Sequence, residues 1–260
     1  MKFILNGICG RMGSVLNETV KNGYRGAEIA AGVDINCSDS IGVPCYNSLE
    51  NVQETADCII DYSNHICTPA LMAYAVSKKL PVVIATTGHT EEELEIIRNT
   101  SKEIPVFLAA NMSLGVSLLV ELAKITAKTM HDADIEIVEK HHNRKLDAPS
   151  GTALMIANAL KQVREKANLV LGRSGFAKRE KDDIGIHAVR AGNIIGEHEV
   201  IIATDYETIT LKHEAHTRAL FAQGSGLGTV SGVRPQGLLE AVGLDRRPCS
   251  WLHQRPWRQC

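Results

Sequence analysis

Lys2-Phe3-Ile4-Leu5-Asn6-Gly7-Ile8-Cys9-Gly10-Arg11-Met12-Gly13 opens the chain and decides how its first half folds. An apolar run of strand length leads into glycines spaced G-x-x-G-x-x-G, and a helical pattern over residues 12–22 follows. Glycines there let the chain turn tightly, let a diphosphate approach the backbone, and let a helix pack on a strand. The spacing is a relative of the commoner G-x-G-x-x-G fingerprint, and an ordinary glycine turn would look the same. The strand-turn-helix setting favours the nucleotide reading. Asp34 ends the second strand pattern about twenty residues on, where a carboxylate accepts hydrogen bonds from ribose hydroxyls. It also suits a simple turn ahead of Asn36.

Working outward, strand-like runs cover residues 2–6, 29–33, 57–61, 81–85 and 106–109. Helical patterns cover 12–22, 68–78 and 91–102, the last opening on an acidic turn after Thr90 as a capped helix should. This alternation predicts an α/β, Rossmann-type, doubly wound parallel sheet. Two loops leave the carboxyl ends of its strands, Ala85-Thr86-Thr87-Gly88 and Ala109-Ala110-Asn111-Met112-Ser113. Ligands bind at such ends, and small or hydroxylated side chains suit a nicotinamide ring, although both also read as plain strand-to-helix turns. The pattern then changes. A helix over 116–130 leads to a strand at 135–140 and a helix at 152–164; residues 170–183 read as a long surface loop. Strands at 185–190, 197–203 and 206–213 follow without helices between them, which predicts a second α+β domain on a mixed or antiparallel sheet. The domains are therefore set at 1–112, completed by part of 223–260, and at 113–222.

Composition narrows the function. The 44% hydrophobic content is aliphatic, with only 4% aromatics, as buried parallel strands under helices require. A net charge of −2 provides no field for nucleic acid. No stretch approaches the roughly 20 apolar residues of a membrane span, and the N-terminal run is too short for a signal peptide. Seven cysteines form no C-x-x-C pair and no zinc module, so reduced thiols in a cytoplasmic protein are expected.

The chemistry concentrates in Glu139-Lys140-His141-His142-Asn143-Arg144-Lys145-Leu146-Asp147-Ala148-Pro149-Ser150-Gly151-Thr152-Ala153. Imidazole exchanges a proton near neutral pH. Lys145 supplies a point charge for an anion, and Ser150-Gly151-Thr152 presents N–H groups at a helix start where a carboxylate docks. Together these describe a proton donor beside a small dicarboxylate; the alternative is a solvated basic loop. A metal role for His141 and His142 is not expected, because adjacent side chains diverge and no third ligand is in view.

At this point the chain resembles the 4-hydroxy-tetrahydrodipicolinate reductase family, also called dihydrodipicolinate reductase. The glycine loop, the two carboxyl-end loops and the long histidine motif carry the resemblance, together with Val189-Arg190-Ala191-Gly192 and Gly196-Glu197-His198. The resemblance implies NAD(P)H-dependent reduction in the diaminopimelate route to lysine, with His141 as proton donor and Lys145 assisting it and binding a carboxylate. It implies that His142, Ser150, Gly151 and Thr152 hold the dicarboxylate. The dinucleotide would lie on Gly7, Ile8, Cys9, Gly10, Arg11, Met12, Gly13, Asp34, Ala85, Thr86, Thr87, Ala109, Ala110, Asn111 and Met112. A homotetramer assembled through the second domain is implied too. The residues after Asp34 offer no arginine for a 2′-phosphate and Arg11 is the one nearby cation, which favours NADH with NADPH tolerated. Another two-domain nicotinamide dehydrogenase explains the glycine loop but not the histidine motif; a homologue impaired by its tail is the further alternative.

That tail departs from the family after Gly224. Ser225-Gly226-Leu227-Gly228-Thr229-Val230-Ser231-Gly232 is poor in helix formers, and both tryptophans and two cysteines crowd after position 248. The composition favours a changed reading frame over a natural divergent tail, and predicts a weakened helix and a stability below the family's norm.

Overall fold

Alternating apolar residues build the first sheet from its centre. In the computed structural model, which describes residues 1–38, 41–232 and 238–240, Lys2–Asn6 forms β1. Period-two geometry sends Phe3 and Leu5 to one face and Ile4 to the other, and all three are fully buried. β2 (Glu28–Val33), β3 (Cys45–Tyr46), β4 (Cys58–Asp61), β5 (Val82–Ile84), β6 (Val106–Leu108) and β12 (Leu238–Glu240) complete a parallel sheet ordered β12-β6-β5-β4-β1-β2-β3. α2 (Thr68–Lys78) and α3 (Glu91–Thr100) contribute Leu71, Met72, Ala75 and Ile97 to the core on Ile4's face. α1 (Arg11–Lys21) and α6 (Ala219–Gly232) contribute Leu16 and Ala222 to the core on the opposite face. Strand order reverses between β1 and β4, so a crevice opens at their carboxyl ends.

The second sheet has five strands and is mixed. β7 (Asp134–His141) lies parallel to β9 (Asp183–Arg190) and antiparallel to β10 (Glu197–Ala203); β11 (Thr208–Glu214) and β8 (Asn168–Leu171) form the edges. α4 (Leu114–Thr129) and α5 (Gly151–Lys161) bury Leu119, Ala123, Ile156 and Leu160 with Ile135, Ile137, Ile186 and Val200. The other face carries Glu136, Val138, Lys140, Glu199 and Ile201, each only half-buried. Among the described residues no helix is long and apolar enough to cross a membrane.

Two expectations need correction, and one short strand was not expected. β8 takes the first two residues of the loop expected over 170–183, and Asp183 already begins β9. An edge strand half open to water lacks the alternation that would have revealed it. β3, two residues long, was too short to show a period. Cys37 and Cys45 form a disulfide rather than staying reduced. Pairing of Gly32 with Cys45 brings β3 back beside the loop that leaves β2, so the two Cα atoms stand 5.6 Å apart, within bridging range. Cys9, Cys58 and Cys67 are free, and Cys249 and Cys260 lie outside the described residues.

The tail continues the first domain. α6 runs helically through the glycines, and β12 adds to the sheet edge beside β6. Tertiary contact overrides weak propensity here: a Cβ on Gly224 would sit 1.6 Å from the Met112 carbonyl oxygen, so only glycine admits this approach. Tyr62 and Tyr24 hydroxyls donate to the Phe221 and Gln223 carbonyls at 3.1 and 3.0 Å and hold the helix down. The tryptophan-bearing stretch lies outside the described residues.

Candidate active site

The glycine loop rises directly from β1. Gly7 takes φ +81°, and a Cβ there would come within 2.6 Å of the Tyr62 backbone. One on Gly13 would meet the Gly7 carbonyl oxygen at 2.0 Å, so both positions demand a bare backbone. Gly10 caps α1 without a side chain, leaving N–H groups at the helix start for an anion. Asp34, half-buried, accepts from the Cys9 N–H at 3.1 Å and the Asn36 N–H at 3.0 Å, tying the loop to the end of β2. Arg11 is exposed. This cradle fits a dinucleotide: it is shaped by glycines that a side chain would fill, with a carboxylate beside it.

The other carboxyl-end loops gather at the same edge. Thr86 gives its hydroxyl to Asp61 at 2.6 Å, and Asn6 and Ser63 donate to the same buried carboxylate at 2.8 and 2.6 Å. The threonine hydroxyl therefore fastens β4 to the loop after β5, while Thr87 and Ala110 are exposed and Ala109 and Met112 buried. Asn111 reaches across to the second domain and donates to the Thr152 hydroxyl at 2.9 Å. One hydrogen bond thus joins the loop expected at the nicotinamide to the helix start expected at the substrate.

His141 ends β7 on its buried face. Its Nδ1 lies 2.5 Å from Glu139 Oε2, and its Nε2 faces Gly196, where an added Cβ would stand 3.1 Å away. Glu139 is wholly buried and also accepts two guanidinium bonds from Arg190, at 2.7 and 2.8 Å, and the Ser150 N–H at 2.9 Å. Burial alone would raise this carboxyl's pKa; the hydrogen bonds from His141, Arg190 and Ser150 outweigh it and bring it down to about 2. The charged neighbour of His141 is thus an anion. Lys145 pairs with Asp147 at 2.8 Å.

Ser150 caps α5, accepting from the Ala153 N–H at 3.2 Å. Its hydroxyl also meets His198 Nε2 at 3.2 Å, and His198 lies edge-on to His141 with centroids 5.2 Å apart. Burial, then the charge of His141, pushes His198 down to about 3, so this ring is a neutral partner. The pattern repeats one strand over: His213, opposite His198 in the ladder, meets at 3.3 Å the hydroxyl of Ser113, which caps α4. Both helix starts are therefore held by histidines on neighbouring strands. Gly151 is exposed and Thr152 half-buried beside them. His142 has a buried Nδ1 with no partner among the described residues, and burial with the charges of Arg144, Arg218 and His141 lowers its pKa.

Glu139, Arg190, His198 and His213 were not assigned roles from the sequence. Strand alternation could have revealed the first. Two residues before His141 and in step with Ile135 and Ile137, Glu139 must point into the core, where a carboxylate needs partners.

Comparison with known proteins places this arrangement. The family model for the dihydrodipicolinate reductase N-terminus matches residues 1–112, and that for its C-terminus matches residues 115–238. The match continues past Gly224, the point at which the sequence resemblance ends. The 4-hydroxy-tetrahydrodipicolinate reductase of Caldanaerobacter subterraneus subsp. tengcongensis is 49% identical over 227 residues, covering 86% of this chain and 90% of that protein. The Clostridium tetani reductase is 43% identical over 227 residues, covering 86% and 89%. Among solved structures, the dipicolinate-bound dihydrodipicolinate reductase from Paenisporosarcina sp. TG-14 matches with a TM-score of 0.77 at 25% identity, over 92% of this chain and 97% of that one. On these matches over both domains, the chain belongs to the dihydrodipicolinate reductase family.

Proposed function

We propose that this chain reduces 4-hydroxy-tetrahydrodipicolinate to tetrahydrodipicolinate, with loss of water, in lysine and diaminopimelate biosynthesis. The observation that carries the reading is His141, held at Nδ1 by a buried carboxylate beside the open Ser150-Gly151-Thr152 helix start. A bound nicotinamide supplies the hydride. The protein supplies the rest. The N–H groups of Gly151 and Thr152 and the unpartnered His142 Nδ1 receive substrate carboxylates. Lys145 exchanges Asp147 for a substrate carboxylate, since both groups reach water. His141 donates from Nε2 while Glu139 keeps the Nδ1 proton in place. The relative's bound dipicolinate is a planar dicarboxylate of the size this pair of anchors suits.

The Gly7–Gly13 loop, Asp34 and the loops at 85–87 and 109–112 would hold the dinucleotide. NADH is favoured over NADPH, because Asp34 accepts ribose hydroxyls and repels a 2′-phosphate. The half-buried outer face of the second sheet supports a homotetramer, and a cytoplasmic location accords with this biosynthetic role. The test is the loss of reduced-nicotinamide absorbance on adding substrate freshly made from pyruvate and aspartate semialdehyde. Turnover with NADH exceeding that with NADPH is expected; no turnover with intact NADH binding overturns the assignment. A solution mass other than four copies overturns the tetramer.

A further inference from the structure

We propose that Glu139 and Arg190 form a positioning pair that aims the His141 donor and the α5 helix start at one substrate. This rests on the reading of His141 as proton donor. Glu139 uses one oxygen on the His141 ring and the other on the Ser150 N–H, so a single side chain sets the direction of both. Arg190 grips both oxygens and also donates to the Asp147 carbonyl at 2.7 Å, pinning the loop that carries Lys145. The pair therefore reaches three parts of the site from outside it: the ring, the helix cap and the lysine loop.

Its chemistry suits the task. A carboxylate that only accepts bonds leaves His141 Nδ1 protonated in either charge state, so the proton that comes and goes is the one on Nε2. Nε2 points to Gly196, where the missing side chain leaves room. Without Arg190, Glu139 would be a buried anion relying on His141 and one amide, and would compete for the donor's proton. The bidentate fork removes that competition. The rival reading is a buried ion pair that serves folding alone.

The two readings separate in Glu139→Leu/Arg190→Met, which replaces the pair by apolar side chains, an exchange folded proteins often tolerate. Positioning predicts that kcat falls about 100-fold, as for a misaimed donor, while KM for NADH stays within about twofold. Arg190→Lys, retaining charge without the fork, should recover part of the loss. A folded double variant with kcat within about threefold of the parent overturns the proposal, as does an equal loss of NADH affinity. Nitrogen-15 NMR of the histidine rings in the unaltered protein decides the matter even if the variants do not fold. The neutral His141 ring should carry its proton on Nδ1, and a proton on Nε2 overturns the pair's role. Absence of turnover in the parent enzyme would defeat the functional reading instead, and leaves the NMR result to judge the pair.

Discussion

A proton donor is only as useful as its aim, and at the residue scale this site is built around one ring. His141→Ala should lower turnover by about 10²–10⁴-fold, the usual cost of losing a general acid, with NADH affinity retained. Stopped turnover with weakened NADH binding, measured by fluorescence titration, would assign His141 elsewhere. Gly196→Ala places a methyl group 3.1 Å from His141 Nε2 and should depress kcat while the fold survives. Unchanged kcat would mean that the proton leaves by another direction. The ring itself was legible because histidine, lysine and a capped helix start share one short stretch. Its supports were not. Arg190 stands opposite His141 only through the β7–β9 register, and His198 opposite Glu139 only through the β7–β10 register. Pairings between strands some fifty residues apart leave no mark on local sequence pattern.

Elements carry a different lesson. Strands β1 and β10 and helix α2 match their sequence patterns residue for residue, because each pairs clear periodicity with a turn or cap at its ends. α6 forms despite weak propensity, and Gly224 answers a close approach to Met112, which no local pattern shows. Gly224→Ala would improve helix propensity by about 1 kcal/mol in isolation. In the folded protein it should instead lower the melting temperature, because the methyl would lie 1.6 Å from a carbonyl oxygen. A rise in melting temperature would show that α6 is not packed as described. Ser150→Ala removes an N-cap worth about 1 kcal/mol and should also weaken binding of dipicolinate, since the same hydroxyl sets the α5 start.

For the whole molecule, acid stability follows from two buried groups. Glu139 is brought from its ordinary 4.5 to about 2, so its stabilising contribution is complete above 4.5 and lost as pH falls towards 2. His198 is pushed from 6.5 to about 3, so below 6.5 the unfolded chain gains a proton that the folded one refuses, and stability falls. Both effects act in the same direction on acidification. His198→Asn should flatten the fall between pH 6.5 and 4.5, seen in a thermal denaturation series, and a parent enzyme with no slope there would show that the ring is not buried neutral. The sheet order carries one more consequence, in the time of synthesis. β12 completes the first sheet yet lies roughly 130 residues beyond its neighbour β6. At about 5–20 residues per second, the ribosome takes on the order of ten seconds to deliver it. Through that interval the nascent chain displays the unpaired edge of β6, and a chaperone has its clearest opportunity there.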